Sequence, residues 1–227
     1  MSGPEGGSGA GAGAPSVARV REIDPASADP AEVYSLLVGC VVPRPIAFVS
    51  SLSADGVPNL APFSFFNAGG AHPPSLVFSP VTSGAGRNKD TLNNVRATRE
   101  YVVHIAPWGL REKMNQSSAD YAPEVDEFVE AGFTKVPSRK VKPWRVAECP
   151  VAMECRLFQV VEHGSGPLRA NYVIGEVVYF HIAESLFVNG RIDYGALDAI
   201  GRLGGPLYTH ITRESVFHLA RPAVPGK

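Results

Sequence analysis

Short runs of β-branched and aromatic residues, separated by Gly, Pro, Asn and Asp, recur along the chain and predict strands joined by tight turns. Ile46-Ala47-Phe48-Val49-Ser50-Ser51-Leu52 reads as a strand, Ala54-Asp55-Gly56 as a turn, and Asn59 to Asn67 as one extended segment completing a hairpin. Pro73-Pro74 breaks the chain ahead of a third strand, Ser75 to Ser79, and a fourth follows at Tyr101–Ile105. Met153–Glu162 and Asn171–Ala183, joined by His163-Gly164-Ser165-Gly166-Pro167, form a long antiparallel hairpin that closes a sheet.

The helical signals are fewer. Asp29-Pro30-Ala31-Glu32 combines a capping residue, a proline suited to the first helical position and a glutamate at capping-box spacing, so a short helix starts there and ends before Pro43. The loop Ser83-Gly84-Ala85-Gly86 leads into a polar helix, Asp90 to Thr98. Pro107 to Gly132 has helical periodicity that Pro123 divides into two short helices, a layer lying against the sheet. Val136 to Pro150 is an irregular connection, and a helical turn and a last strand end the fold. The expected architecture is mostly β with peripheral helices: one barrel-like domain over residues 18–222, a flexible Gly/Ala-rich tail at 1–17 and a C-terminal tail at 223–227.

Composition narrows the function classes. Hydrophobic residues are 44% and charged ones 19% of 227 residues, a balance that gives a core rather than a disordered chain. The 21 Lys+Arg against 22 Asp+Glu leave no positive field for a nucleic-acid backbone. No run approaches the roughly 20 apolar residues of a membrane span. Three cysteines without a Cys-x-x-Cys pair argue against a disulfide framework and a thiolate zinc site, and the N-terminal residues lack the charged and apolar regions of a signal peptide. A soluble cytoplasmic protein is expected. The six histidines show no metal-ligand spacing, so no metal is expected.

Two segments carry candidate chemistry. Arg87-Asn88-Lys89-Asp90-Thr91 puts two cations and a hydroxyl at a helix start, whose free N–H groups favour an anion such as phosphate. The same residues also read as a capped helix with solvated cations, with Asp90 capping the helix or holding Lys89. Asn59-Leu60-Ala61-Pro62-Phe63-Ser64-Phe65-Phe66-Asn67 packs amides, a hydroxyl and phenyl rings into one strand-like stretch. It suits the wall of a flat heteroaromatic ligand, or an ordinary core strand bounded by turn residues. No nucleophile elbow, dinucleotide fingerprint or catalytic dyad is present, and no catalytic residue is named.

These segments, together with Pro43-Arg44-Pro45-Ile46-Ala47-Phe48-Val49-Ser50, Val173-Ile174-Gly175-Glu176-Val177 and Arg202-Leu203-Gly204-Gly205 followed by Tyr208, resemble the flavin reductase-like family with its FMN-binding split β-barrel, in particular its flavoredoxin-like branch. The resemblance spans about Asp29 to Tyr208. It implies a homodimer with one FMN per subunit in a groove at the interface. Asn59, Ala61, Ser64 and Phe65 would edge the flavin ring, with Asn67 and Ser79 in the same groove, while Arg87, Lys89 and Thr91 would hold the phosphate with Asp90 acting indirectly. Arg44, just before a strand, suits either a phosphate contact or a structural role; Asn171 stands where family members often carry His. The activity implied is NAD(P)H-dependent reduction of FMN, with NADH or NADPH as donor. The alternatives are an FMN electron carrier reduced by a partner protein, and a barrel binding another phosphorylated heteroaromatic.

Overall fold

The structure, a computed structural model, describes residues 18–224; the expected N-terminal tail and the last three residues lie outside them. Helix α1 (Pro30–Cys40) begins as its sequence dictates, with the Asp29 carboxylate accepting from the Ala31 N–H at 2.8 Å and proline at the first helical position. It stops before Pro43. After the short β1 (Arg44–Pro45), strands β2 (Ala47–Leu52) and β3 (Pro58–Phe63) form the expected hairpin, turned by Gly56 at φ 86°, a left-handed conformation that glycine adopts freely.

The stretch Asn59 to Asn67 is not one strand. β3 ends at Phe63, and a new strand β4 (Phe66–Ala71) pairs with β5 (Pro74–Phe78) through a turn at His72-Pro73. The remaining long strands are β6 (Glu100–Ile105) and, beyond the two-residue pair β7 (Lys135–Val136) and β8 (Arg145–Val146), the 13-residue strands β9 (Val151–His163) and β10 (Ala170–Ile182). The seven-stranded antiparallel sheet runs β3-β2-β6-β9-β10-β5-β4. Its two edges, β3 and β4, are therefore neighbours in the chain, separated by Ser64 and Phe65 alone. Three Cα–Cα steps of about 3.8 Å hold Phe63 and Phe66 within about 11 Å, so the sheet must curl until its edges meet. The result is a barrel open along one seam.

The remaining elements cover the barrel. Helix α2 (Asp90–Thr98) packs on β2, and α3 (Arg111–Gln116) and α4 (Glu127–Glu130) form the predicted layer against the sheet. Ala47, Val49, Phe78, Tyr101, Met153 and Val173 fill the barrel, while Phe48 and Leu60 pack outward against Met114, Phe128 and Phe133. Both faces of β2 are buried, which is why its sequence does not alternate. Two-residue strands β11 (Phe187–Val188) and β12 (Arg191–Ile192) precede α5 (Tyr194–Leu197). Where one last strand was expected, β13 (Ile200–Arg202) and β14 (Tyr208–His210) build a second small sheet with β1. None of the described helices is long and apolar enough to cross a membrane.

His104 on β6 is fully buried. Its Nε2 accepts from the Val146 N–H at 3.0 Å, so the proton sits on Nδ1 and is donated to the Phe48 carbonyl at 2.9 Å. Burial, above all, lowers its pKa from 6.5 to about 4. Between those values the unfolded chain binds a proton that the folded chain refuses, so stability falls as pH drops from about 6.5 to about 4, by up to about 3 kcal/mol. Urea midpoints measured across this range should fall less steeply for His104→Gln than for the wild type.

Candidate functional site

At the start of α2 the chain turns tightly: the Gly86 N–H donates to the Ser83 carbonyl, and the Arg87 N–H donates to the Ser83 hydroxyl at 3.1 Å. The residue preceding the helix is Lys89, and no side chain caps it. The expected cap, Asp90, is instead the first helical residue, where its carboxylate faces the positive end of the helix dipole. Nor does Asp90 hold Lys89, whose ammonium pairs with Asp120 at 3.0 Å; that hydrogen bond holds the Asp120 carboxyl below its usual range. The Arg87 guanidinium has no hydrogen-bond or ion-pair partner among the described residues.

Behind this surface lies a buried string of polar side chains. Asn59 Oδ1 accepts from the Thr91 hydroxyl at 2.6 Å and from the Ser51 hydroxyl at 3.3 Å, and Asn94 Nδ2 donates to Ser51 at 3.2 Å. Asn59 Nδ2 donates to Glu127 Oε1 at 2.7 Å, and the Leu60 N–H donates to Glu127 Oε2 at 3.0 Å. The string ties α2, β2, β3 and α4 together. Burial pushes the Glu127 carboxyl up, an effect that the Leu60 and Asn59 hydrogen bonds partly offset. Most of the hydrogen-bonding capacity of the Asn59 side chain is thus spent inside the protein, as is the Thr91 proton.

The groove itself is a series of four concavities that share walls. Asn59, Ala61, Lys89, Asp90 and Thr91 line a cavity of about 110 Å³. Through Lys89, Asp90, Asp120 and Tyr121 it adjoins a hollow of about 490 Å³ that also holds Arg87. Through Pro62 and Ser118 it adjoins one of about 460 Å³, which in turn shares Arg44 and Ser64 with a hollow of about 360 Å³ lined by Phe65, Asn67 and Ser79. Arg44 and every residue expected to edge the flavin or hold its phosphate borders this groove, which follows the seam between β3 and β4, whereas Asn171 does not.

Their roles differ. Arg44 is buried, and its guanidinium donates to the carbonyls of Val38, Val41 and Leu203, which is the structural of its two expected roles. Phe65 meets Tyr34 edge to face at 6.3 Å. The Ser79 hydroxyl accepts from the Asn171 N–H at 3.2 Å; the Asn171 amide donates to the Pro80 carbonyl and accepts from Arg169, and the residue is fully buried. Sequence reasoning missed Glu127, Asp120 and Ser118. Glu127 lies 68 residues from Asn59, and the one available signal was that a buried amide needs a partner.

The family model of the flavin reductase like domain matches residues 38–197. A protein named BH2278 from Halalkalibacterium halodurans is 39% identical over 205 residues, covering 89% of this chain and 97% of the relative. Nitrilotriacetate monooxygenase component B from Bacillus cereus has a structure similar to this one at TM-score 0.84 and 35% identity, covering 89% of this chain and 100% of that one. A protein described as having a split barrel domain, from Shewanella frigidimarina NCIMB 400, matches at TM-score 0.72 and 20% identity over 88% of this chain and 95% of its own, a likeness of fold. The open-seamed barrel is this split barrel.

The buried string generates a stability prediction. In Glu127→Gln the new amide must turn its NH2 toward either the Leu60 N–H or Asn59 Nδ2, so one buried donor loses its acceptor and the fold loses about 1–3 kcal/mol. Thr91→Val, which keeps the volume and removes the proton donated to Asn59, costs a similar amount. Urea denaturation of both variants checks this; unchanged midpoints would show that the string does not hold α2 and α4 on the barrel.

Proposed function

The chain belongs to the flavin reductase-like family, and from that membership and the groove along its barrel seam we propose that it is an FMN-binding oxidoreductase in which NADH or NADPH reduces the bound flavin. The observation that carries the reading is the groove's polarity: a long concavity walled by Pro62, Phe63 and Phe65 ends at a helix start bearing Arg87 and Lys89. The residues present fit a flavin phosphate. Arg87 brings a guanidinium without a partner among the described residues and α2 an N-terminus without a side-chain cap among them, and both favour a phosphate dianion.

Lys89 would exchange Asp120 for the phosphate. Their pair is surface-exposed, with the Asp120 side chain 92% accessible, and such a pair contributes about 0–1 kcal/mol, less than a charge-assisted bond to a dianion. Asn59 and Thr91 act from behind: their mutual hydrogen bond sets the distance between β3 and α2, and with it the width of the groove between ring wall and phosphate end. Ala61 and Ser64 offer the backbone of the seam to the ring edge, and Phe65 a flat apolar wall. The chemistry that bound FMN supplies is two-electron acceptance and release, which requires no general base from the protein. Positioning and exclusion of water are what the chain contributes.

A homodimer belongs to the same proposal. A hollow as open as the one beside Phe65 covers a ring on one side, and the chain exposes apolar side chains, Phe158, Phe180, Phe217 and Leu219, that a second copy would bury.

Four measurements test this reading. Protein mixed with FMN and desalted should stay yellow. Arg87→Ala should weaken FMN by roughly 1.5–3 kcal/mol while leaving riboflavin, which lacks the phosphate, nearly unaffected. Light scattering should return twice the 24.1 kDa chain mass. Anaerobic NADH or NADPH should bleach the bound flavin within seconds; a flavin reduced by dithionite but by neither nucleotide would make the protein a carrier, and colourless desalted protein would remove FMN altogether.

A further inference from the structure

Between Glu130 and Glu148 the chain carries Lys135, Arg139, Lys140, Lys142 and Arg145 and no Asp or Glu, in a protein whose formal net charge is -1. The excess is local. Lys135 is neutralised by Asp126. The other four lie on the irregular stretch that joins β7 to β8, and none of them forms an ion pair among the described residues. The acids beneath them are engaged by the backbone instead. Glu154 accepts from the Arg139 and Lys140 N–H groups at 2.7 and 2.6 Å, and Glu100 accepts from the Lys142 N–H at 2.9 Å. Three cationic residues are therefore held down by their main chain, while Arg139, Lys140 and Lys142 remain exposed.

The stretch has an inner and an outer face. Val141 is buried against Val102, Ala152 and Val178, and Pro143 is buried as well, whereas Lys142 and Trp144 are exposed. Arg145 donates to the Pro137 carbonyl at 3.1 Å and Arg156 to the Lys140 carbonyl at 3.1 Å, which closes the loop and fastens it to β9. A loop fixed at so many points has little freedom left to lose when something binds it. Its outer face combines an indole with two guanidinium forks and two ammonium groups. Trp and Arg are the side chains that carry binding energy between proteins, the fork matches a carboxylate, and unpaired surface charge steers a partner of opposite sign.

We propose that this face docks an acidic segment of a partner protein, with carboxylates on Arg139, Lys140, Lys142 and Arg145 and one apolar side chain against Trp144. A single exposed indole gives a bilayer little to hold, and a net charge of -1 gives duplex phosphates no long-range attraction. The face also lies away from the groove. Glu154 stands on β9, the fourth of seven strands, so the curl that brings β3 to β4 leaves β9 opposite the seam. A partner held there leaves the groove open, and the contact is independent of FMN binding.

Fluorescence anisotropy of the full chain with a labelled glutamate-rich peptide carrying one central phenylalanine tests it. The peptide should bind, progressively more weakly as NaCl is raised, and its lysine-rich counterpart should not. Lys140→Glu and Lys142→Glu should each weaken the glutamate peptide several-fold and together at least tenfold. Their backbone N–H groups are unchanged, so the loop stays anchored, and thermal melts verify this. Trp144 offers a second readout: the peptide should shift the tryptophan emission of the wild type and not that of Trp144→Phe. A folded double variant that binds like the wild type, or an emission shift that survives Trp144→Phe, would overturn the proposal. So would tighter binding of a labelled DNA duplex, or equal retention on phosphatidylserine vesicles, which would make the face a nucleic-acid or membrane surface. A light-scattering mass altered by the double substitution would assign it to a contact between copies of this chain.

Discussion

The link Phe63-Ser64-Phe65-Phe66 governs this structure. Consecutive strands usually pair with each other, yet β3 and β4 lie on opposite edges of a seven-stranded sheet while only two residues separate them. A flat sheet would hold its outer strands roughly 28 Å apart, six spacings of about 4.7 Å, which this link cannot reach. Curling is therefore imposed by chain length and not by the core alone. Ser64 and Phe65 cannot form ladder bonds to both edges, so the seam stays open, though the Ser79 N–H reaches the Phe65 carbonyl at 2.8 Å. The open seam is what makes a groove available, and the residues nearest it are the ones with candidate chemistry.

Polar groups attach the covering helices. Glu127 anchors α4 to β3 by accepting from Asn59 and Leu60, and Thr91 anchors α2 through the same asparagine. Glu154, fully buried on β9, accepts from the Arg139 and Lys140 N–H groups and from His181 at 2.6 Å, holding the irregular stretch between β7 and β8 on the barrel. These bonds keep the Glu154 carboxyl below its usual range even though burial opposes them. In each case a buried carboxylate is satisfied by N–H donors, at least one of them from the backbone, so losing one partner costs more than the pair contributes while intact.

Local chemistry made much of this legible in the sequence. Asp29-Pro30 starts α1, Ala54-Asp55-Gly56 turns the first hairpin, and the two 13-residue strands follow from runs of Val, Tyr and Phe interrupted by one Gly-rich turn. The cationic helix start was visible for the same reason. The break at Ser64-Phe65 was not, because Asn59 to Asn67 satisfies strand propensity throughout and what divides it is pairing with β2 on one side and β5 on the other. Asp90 looked like a cap because aspartate usually is one, but the helix runs over its expected bounds, Asp90–Thr98, with Lys89 in the capping position and Asp90 as the first helical residue. Asn59 looked like a ligand contact; its principal partners come from α2 and α4, at separations where a single sequence carries no pairing signal.

The small sheet has a consequence for the order in which the molecule can be assembled. β1 lies near the start of the described chain, yet it pairs with β13, and Arg44 bonds to the Leu203 carbonyl 159 residues away. The barrel strands up to β10 are all synthesised by Ile182, so their ladder can close while the rest of the chain is still on the ribosome. The cavity of about 460 Å³ cannot be completed then, because its wall of Arg202, Leu203 and Tyr208 arrives with the last strands. A nascent or C-terminally clipped chain would hold the seven-stranded split barrel with a groove that lacks that wall, which ties the completeness of the groove to the presence of the last strands.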